Sequence, residues 1–297
     1  MTAGGRPVLG VIGGSGLYDF EGLEDARRVE VATPFGTPSD AVLTGRIGGL
    51  DVAFLPRHGR GHRLTPSKID YRANIDALKR LGVTDLVSLS ACGSFHEDLA
   101  PGTFVVVDQF IDRTFARPKT FFGDGIVAHV SMAHPVCRRL VDALVVAAGQ
   151  GGAAARRGGT YLAMEGPQFS TLAESNLYRA WGCDVIGMTN MPEAKLAREA
   201  EICYATVAMV TDYDCWHPHH GHVQVADILA VLRDNAAKGL AMVRRLAEGF
   251  GARPSPCPHG CDRVLDAAII TPRAAWDPAA TARLSAVMAR VAGTGGA

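Results

Sequence analysis

Apolar residues along this chain fall into short runs and helical spacings that alternate. Residues 8–12 form an apolar run closed by Gly13-Gly14-Ser15-Gly16, the pattern of a buried strand and a tight turn. Runs at 41–44 and 52–55, separated by Gly48-Gly49, and at 86–89, 104–107, 161–164, 185–187 and 202–210 predict further strands. Residues 70–81 place Ala73, Ala77, Leu78 and Leu81 on one helical face, with Gly82 as the stop. Helices are also predicted over 137–148, 173–181, 193–200 and 226–250, and residues 151–159 read as a small-residue loop. Strands alternating with helices predict an α/β fold, a single domain with a mixed, largely parallel central β-sheet flanked by helices. Pro254, Pro256 and Pro258 mark a boundary. Residues 1–250 are then the main body. Residues 251–297 are an extension too short to be a domain, packing on the body or on a neighbouring subunit.

Composition narrows the function classes. The 297 residues are 47% apolar, enough for one large core. Basic and acidic residues balance at 30 each, so there is no basic stripe for nucleic acid. No apolar run reaches membrane-spanning length and no secretory pattern opens the chain, so the expected location is cytoplasmic. The seven cysteines are scattered and lie mostly in apolar segments, which reads as buried thiols in a reducing compartment.

The chemistry-bearing segments cluster at predicted strand ends, where open α/β sheets place ligands. Thr211-Asp212-Tyr213-Asp214-Cys215-Trp216 follows the 202–210 strand and sets two carboxylates two residues apart. On an extended segment these point the same way, which suits a ligand with an amino group and a basic ring nitrogen, such as adenine. A solvated pair of acids in a turn is the plain alternative. Gly13-Gly14-Ser15-Gly16 offers backbone N–H groups and a hydroxyl to an anion, but it is neither a Walker loop nor a dinucleotide fingerprint. Arg57-His58-Gly59 supplies a guanidinium fork and an imidazole at another strand end. Ser90-Ala91-Cys92-Gly93-Ser94 permits close backbone approach, with Cys92 read as a small packing residue. Glu165 to Ser170 and Gly187 to Glu193 add Phe169, Ser170, Met188 and Thr189. His217-Pro218-His219-His220-Gly221-His222 has the composition to bind a metal; a mobile loop over the site is the preferred reading. Cys257-Pro258-His259-Gly260-Cys261 has the form of half a zinc site or of a redox pair, with no second half visible.

Taken in order, these motifs resemble the 5'-methylthioadenosine phosphorylase branch of the trimeric purine nucleoside phosphorylase family. The most specific pieces are Ile12-Gly13-Gly14-Ser15-Gly16-Leu17, Thr33-Pro34-Phe35-Gly36, Arg57-His58-Gly59, Asp108-Gln109-Phe110-Ile111-Asp112-Arg113, Glu165-Gly166-Pro167-Gln168-Phe169-Ser170 and the Thr211–Trp216 hexapeptide. The match runs from about Val8 to Leu246. The resemblance implies a nucleoside phosphorylase-like fold and phosphorolysis of 5'-methylthioadenosine to adenine and 5-methylthioribose 1-phosphate, in methionine and purine salvage. It also implies residue roles. Ser15, Arg57, His58, Ser90, Ala91 and Thr189 would hold phosphate. Met188 would lie along the ribose, Phe169 would face the base and Ser170 would sit near its edge. Asp212 would serve N7 as the leaving-group acid, and Asp214 would accept from the amino group. Val225, Ile228 and Leu229 would line the alkylthio pocket, and His129 would reach a neighbouring subunit's site in a homotrimer. Phosphate is then a co-substrate, and neither metal nor organic cofactor is required. Two departures stand out, the His-rich loop and the segment after Pro254. A 6-oxopurine nucleoside or methylthioinosine phosphorylase is the enzymatic alternative; its carbonyl calls for a donor, which an ionised Asp212 lacks. A non-catalytic nucleoside-binding protein is the alternative from another class.

Overall fold

The structure, a computed structural model, describes residues 6–218 and 225–293, the latter with side chains from residue 229 onward. Among the described residues, eleven strands form one mixed sheet. They are β1 (Val8–Gly13), β2 (Glu24–Val29), β3 (Val42–Ile47), β4 (Leu50–Pro56), β5 (Asp85–Ser94), β6 (Phe104–Val106), β7 (Gln109–Arg113), β8 (Ala155–Arg157), β9 (Thr160–Met164), β10 (Val185–Gly187) and β11 (Cys203–Asp212). The main path runs β2-β3-β4-β1-β5-β10-β9-β7, while β11 joins β5 to β6, and β6 joins β8. The helices that pack on it include α1 (Tyr71–Arg80), α2 (Arg138–Gln150), α3 (Leu172–Ala180), α4 (Asn190–Glu199) and α5 (Val225–Glu248). No described helix is long and apolar enough to cross a membrane.

Local chemistry explains the elements that carry the site. β5 and β11 are apolar or small at nearly every position and buried along almost their whole length, as parallel strands covered on both faces must be. The β3–β4 hairpin turns on Gly48 and Gly49, both with positive φ (53° and 82°), the backbone a two-residue hairpin turn requires. α1 starts where the Asp70 carboxylate accepts from Ala73 N at 3.1 Å, a cap that stabilises by about 1 kcal/mol. Three strands lie outside the predicted pattern. β2 is Glu-Asp-Ala-Arg-Arg-Val and nearly all exposed, while β7 and the three-residue β8 are polar and half-exposed. β2 and β7 are the outermost strands of the main path and β8 hangs on β6 alone, so no buried face imposes an apolar pattern on them.

β5 sets the geometry of everything that follows. One of its edges pairs with β11 from Asp85 to Gly93. The other edge pairs with β1 only as far as Ser88 and with antiparallel β10 only from Gly93. Residues 89–92 have no strand partner on that edge, and the sheet splits there.

After α5 the chain returns to the body. Cys257, Cys261, Leu265, Leu284, Val287 and Met288 join the main buried cluster, and Arg290 pairs with Asp266 at 2.6 Å and with Glu201. Glu199, at the end of α4, accepts from Phe121 N and from the Thr120 hydroxyl, each at 2.7 Å. Burial lifts its carboxyl to about 7 against the pull of these two donors. The folded state therefore holds this proton more tightly than the unfolded chain does, and stability falls as pH rises from the ordinary carboxyl range through about 7. Glu199→Gln should remove that dependence. Between about pH 5 and about pH 8 the wild type should lose up to ~3 kcal/mol relative to the variant in denaturant melts. A pH-independent difference would mean that Glu199 ionises freely.

Candidate active site

A cavity of about 330 Å³ opens where the sheet splits, within the size range of small-ligand sites. Four strand ends converge on it. β1 delivers Gly14 and Ser15, β4 delivers Arg57 and His58, the open edge of β5 delivers Ser90, Ala91, Cys92 and Gly93, and β11 delivers Thr211, Asp212 and Asp214. A Cβ on Gly14 would stand 2.6 Å from the Leu89 carbonyl oxygen, so the turn can lie against the open edge only with glycine there.

One end of the cavity suits an anion. Arg57 is buried, and Glu193 accepts from its Nε at 2.9 Å and its Nη2 at 3.3 Å. Arg57 Nη1 donates to the Leu89 carbonyl at 3.0 Å and Nη2 to Ser88 Oγ at 2.5 Å. Burial disfavours its charge, but the Glu193 carboxylate more than compensates and holds the guanidinium charged. Four of its five N–H groups are thereby used, so Arg57 can offer a ligand one donor and not a bidentate fork. His58 Nδ1 lies 2.8 Å from the Leu64 carbonyl, and a carbonyl only accepts, so Nδ1 carries the hydrogen. Burial, aided by the Arg57 charge, pushes His58 down to about 3. The neutral ring keeps Nε2 as an acceptor, matched to an anion that brings its own proton, such as hydrogen phosphate. Ser90 Oγ lies 3.2 Å from both Thr189 Oγ1 and the buried Tyr161 hydroxyl. Half-buried Ser15 adds a further hydroxyl.

The other end is acidic and desolvated. Burial raises both Asp212 and Asp214, and the Asp212 charge raises Asp214 further. Asp212 Oδ2 accepts from the Thr211 hydroxyl at 2.7 Å, and its Oδ1 accepts from Asp214 N at 2.8 Å. Asp214 Oδ2 is buried without a hydrogen-bond partner among the described residues. Ser175 lies beside it and favours the ionised form, but the two make no well-formed hydrogen bond. The extended-strand reading of this pair needs correction. The β11–β5 register shifts between Val210 and Asp212, and Asp214 begins a 3₁₀ turn with φ 52°. The carboxylates converge through this bulge and turn, not through strand alternation. Gly93 makes room for them, since a Cβ there would meet Asp212 Oδ1 at 2.9 Å.

Ser15, Arg57, His58, Ser90, Ala91, Phe169, Met188, Thr189, Asp212 and Asp214 all line this cavity. Ser170 does not. Its hydroxyl turns to Met164 Sδ at 3.7 Å, and its carbonyl accepts from the Cys215 thiol. Leu229 is half-exposed, and Leu232, one turn further along α5, lines the cavity instead. The side chains of Val225 and Ile228, and His219, His220 and His222 of the His-rich loop, lie outside the described residues. His129 lines a separate hollow with Lys119 and Glu199. Cys92 does face the cavity, with its thiol pushed up by burial, so it is not a ready thiolate.

Sequence reasoning missed three positioning groups. Glu193 neutralises Arg57, and Tyr161 fixes Ser90. Arg117 donates to the Met188 carbonyl at 2.6 Å and the Glu165 carbonyl at 2.6 Å, fastening two cavity loops together. Arg117 stands in an irregular segment with no periodic or motif signal. Leu232 was findable, since it extends the helical spacing of Val225, Ile228 and Leu229. Glu193→Ala would leave the Arg57 charge buried and unpaired. It should cost about 3–5 kcal/mol in unfolding free energy, read from denaturant melts. Unchanged stability would remove this pair from the framework of the site.

Comparison with known proteins gives the family. Residues 8–248 match the family model described as the phosphorylase superfamily. The chain is 63% identical over 286 residues to S-methyl-5'-thioadenosine phosphorylase of Cereibacter sphaeroides, covering 96% of this chain and 99% of the relative. It is 62% identical to the enzyme of the same name from Rhodospirillum rubrum, over 97% of this chain and 98% of that one. Among solved structures, a methylthioadenosine phosphorylase sourced from an Antarctic soil metagenomic library superposes with TM-score 0.84 at 47% identity, covering 95% of this chain and 99% of that one. Methylthioadenosine phosphorylase from Schistosoma mansoni in complex with adenine superposes with TM-score 0.80 at 36% identity, over 88% and 98%. The chain therefore belongs to the phosphorylase superfamily, within its S-methyl-5'-thioadenosine phosphorylase branch.

Proposed function

We propose that this chain catalyses the phosphorolysis of 5'-methylthioadenosine, with adenine and 5-methylthioribose 1-phosphate as products. The observation that carries the reading is the desolvated acid pair, in which Asp214 presents a buried oxygen without a partner among the described residues and Asp212 a carboxyl raised by burial. A buried acceptor without a donor costs about 1–3 kcal/mol, and the exocyclic amino group of adenine would relieve that cost. A carboxyl that burial biases toward its protonated form is suited to act as a general acid for the purine N7.

The steps follow from the two ends of the cavity. Hydrogen phosphate takes its place among Ser15, Ser90, Thr189, Ala91 and the one spare Arg57 N–H, and donates a hydrogen bond to His58 Nε2, keeping its proton. The purine lies between Phe169 and the acid pair, with Met188 along the ribose. As the C1'–N9 bond breaks, its electron pair passes into the purine and Asp212 gives a proton to N7. The sugar becomes oxocarbenium-like, and a phosphate oxygen stabilises it and then bonds to C1'. Arg57 acts mainly through the fixed field it shares with Glu193 and spends only one hydrogen bond on phosphate. This chemistry calls for neither a metal nor an organic cofactor. Leu232, with Leu229, Val225 and Ile228 earlier on α5, would form the apolar 5' pocket.

The wider setting belongs to the same reading. The enzyme works in the cytoplasm, in methionine and purine salvage, with residues 1–250 as its catalytic domain. It is a homotrimer in which His129 completes a neighbour's site. Phe115, 81% exposed in the single chain, supports an interface beside the Glu165 loop, because Glu165 accepts from Phe115 N at 2.7 Å and a large exposed aromatic favours burial.

A purine-release assay with and without phosphate, on 5'-methylthioadenosine, adenosine, inosine and 5'-methylthioinosine, tests the assignment. Phosphate-dependent release, fastest from 5'-methylthioadenosine, is expected. Preference for either inosine compound would overturn the reading of the acid pair, and release independent of phosphate would overturn the reaction. In Asp214→Asn an amide N–H replaces an acceptor. The ratio of kcat/KM for aminopurine over 6-oxopurine substrates should fall by about 10- to 200-fold; an unchanged ratio would remove Asp214 from base recognition.

A further inference from the structure

The second half of the cysteine motif is present after all. Cys257 and Cys261, in the extension, meet Cys137, which stands just before α2, and Cys203, which opens β11. All four are buried. Their sulfurs lie within 4.8 Å of one another, and Cys137 Sγ and Cys257 Sγ are 3.8 Å apart. A zinc ion bound tetrahedrally at ~2.3 Å holds its sulfurs about 3.8 Å apart. The fold has thus gathered four thiols from three distant parts of the chain around one point, one pair of them at the spacing of a metal tetrathiolate.

The surroundings fit a bound ion. Gly260, at φ 66°, turns the chain so that Cys257 and Cys261 face the same point, and the Gly260 N–H closes that turn on the Cys257 carbonyl at 2.8 Å. Three intervening residues are within the usual span of a paired-cysteine ligand motif. Asp262 accepts from the Cys257 N–H at 2.9 Å and from Arg253 at 3.1 Å. Arg253 Nη2 in turn lies 3.5 Å from Cys203 Sγ, the outer-sphere donor a metal-bound thiolate uses. Cys137 occupies the N-cap position of the thirteen-residue α2 and its sulfur makes no cap hydrogen bond there.

We propose that Cys137, Cys203, Cys257 and Cys261 form a structural zinc site that fastens the C-terminal extension to the body. On binding, four thiol protons pass to solvent and four Zn–S bonds form, with no change of oxidation state. Four protein ligands fill the tetrahedron, the closed arrangement of structural rather than catalytic zinc. The site lies at the opposite end of the ten-residue β11 from Asp212, about 30 Å along the strand. The metal is therefore separate from the phosphorolysis proposed above. It departs from the sequence expectation only in that a metal is held at all.

Elemental analysis of the full chain, purified without chelator, should give one zinc per chain. The Cys257→Ser, Cys261→Ser double variant should lose it. Replacement of the metal by cobalt in the wild type should give the intense ligand-field spectrum of a tetrahedral tetrathiolate, a readout that does not depend on the variant folding. Chelation should lower the melting temperature of the wild type. Metal-free protein with four free thiols, disulfides among these cysteines in peptide mass spectra, iron in place of zinc, or unchanged zinc in the double variant would each overturn the proposal.

Discussion

A single strand, β5, serves three neighbours with two edges, and the functional architecture depends on how it does so. β11 occupies one edge throughout. On the other edge β1 departs after Ser88 and β10 arrives at Gly93 from the opposite direction. Residues 89–92 are left facing an opening in place of a strand. Arg57 reaches into this opening to hold the Leu89 carbonyl, and the glycine turn after β1 lies against it. Gly93 then leaves room for Asp212 and Asp214. A strand added at this edge would fill the cavity.

The opening is electrostatically divided. At one end, hydroxyls and a guanidinium await an anion, but Glu193 shares much of the arginine's charge. The neutral His58 can accept a hydrogen bond from a protonated anion. At the other end, two carboxyls are kept from water and resist ionisation. Phosphorolysis needs this division, because the nucleophile is an anion while the leaving group needs a proton. The low-dielectric surroundings that disfavour ionisation of the acids would also strengthen hydrogen bonds to a bound anion.

Much of this was legible in the sequence, where burial imposes periodicity. The α1 face, the glycine-closed β1 and the long apolar β11 followed from pattern, and ten of the proposed site residues line one cavity. What escaped lacked a local signal. β2, β7 and β8 are polar because they sit at edges. The convergence of Asp212 and Asp214 depends on a bulge at Thr211 that only pairing with β5 reveals. Cys137 and Cys203 each look like a lone buried thiol, and only the fold brings them to Cys257 and Cys261. Arg117 acts by joining two loops far apart in sequence, which no window along the chain can detect.

The central claim is that Asp212 delivers a proton to the departing purine from a carboxyl raised by burial. The most direct test is kcat/KM for 5'-methylthioadenosine as a function of pH, in the wild type and in Asp212→Asn. The account predicts a wild-type decline on the alkaline side, set by a carboxyl titrating above the ordinary range, and loss of that limb with most of the activity in the variant. A variant with the same alkaline limb and near wild-type rates would contradict it.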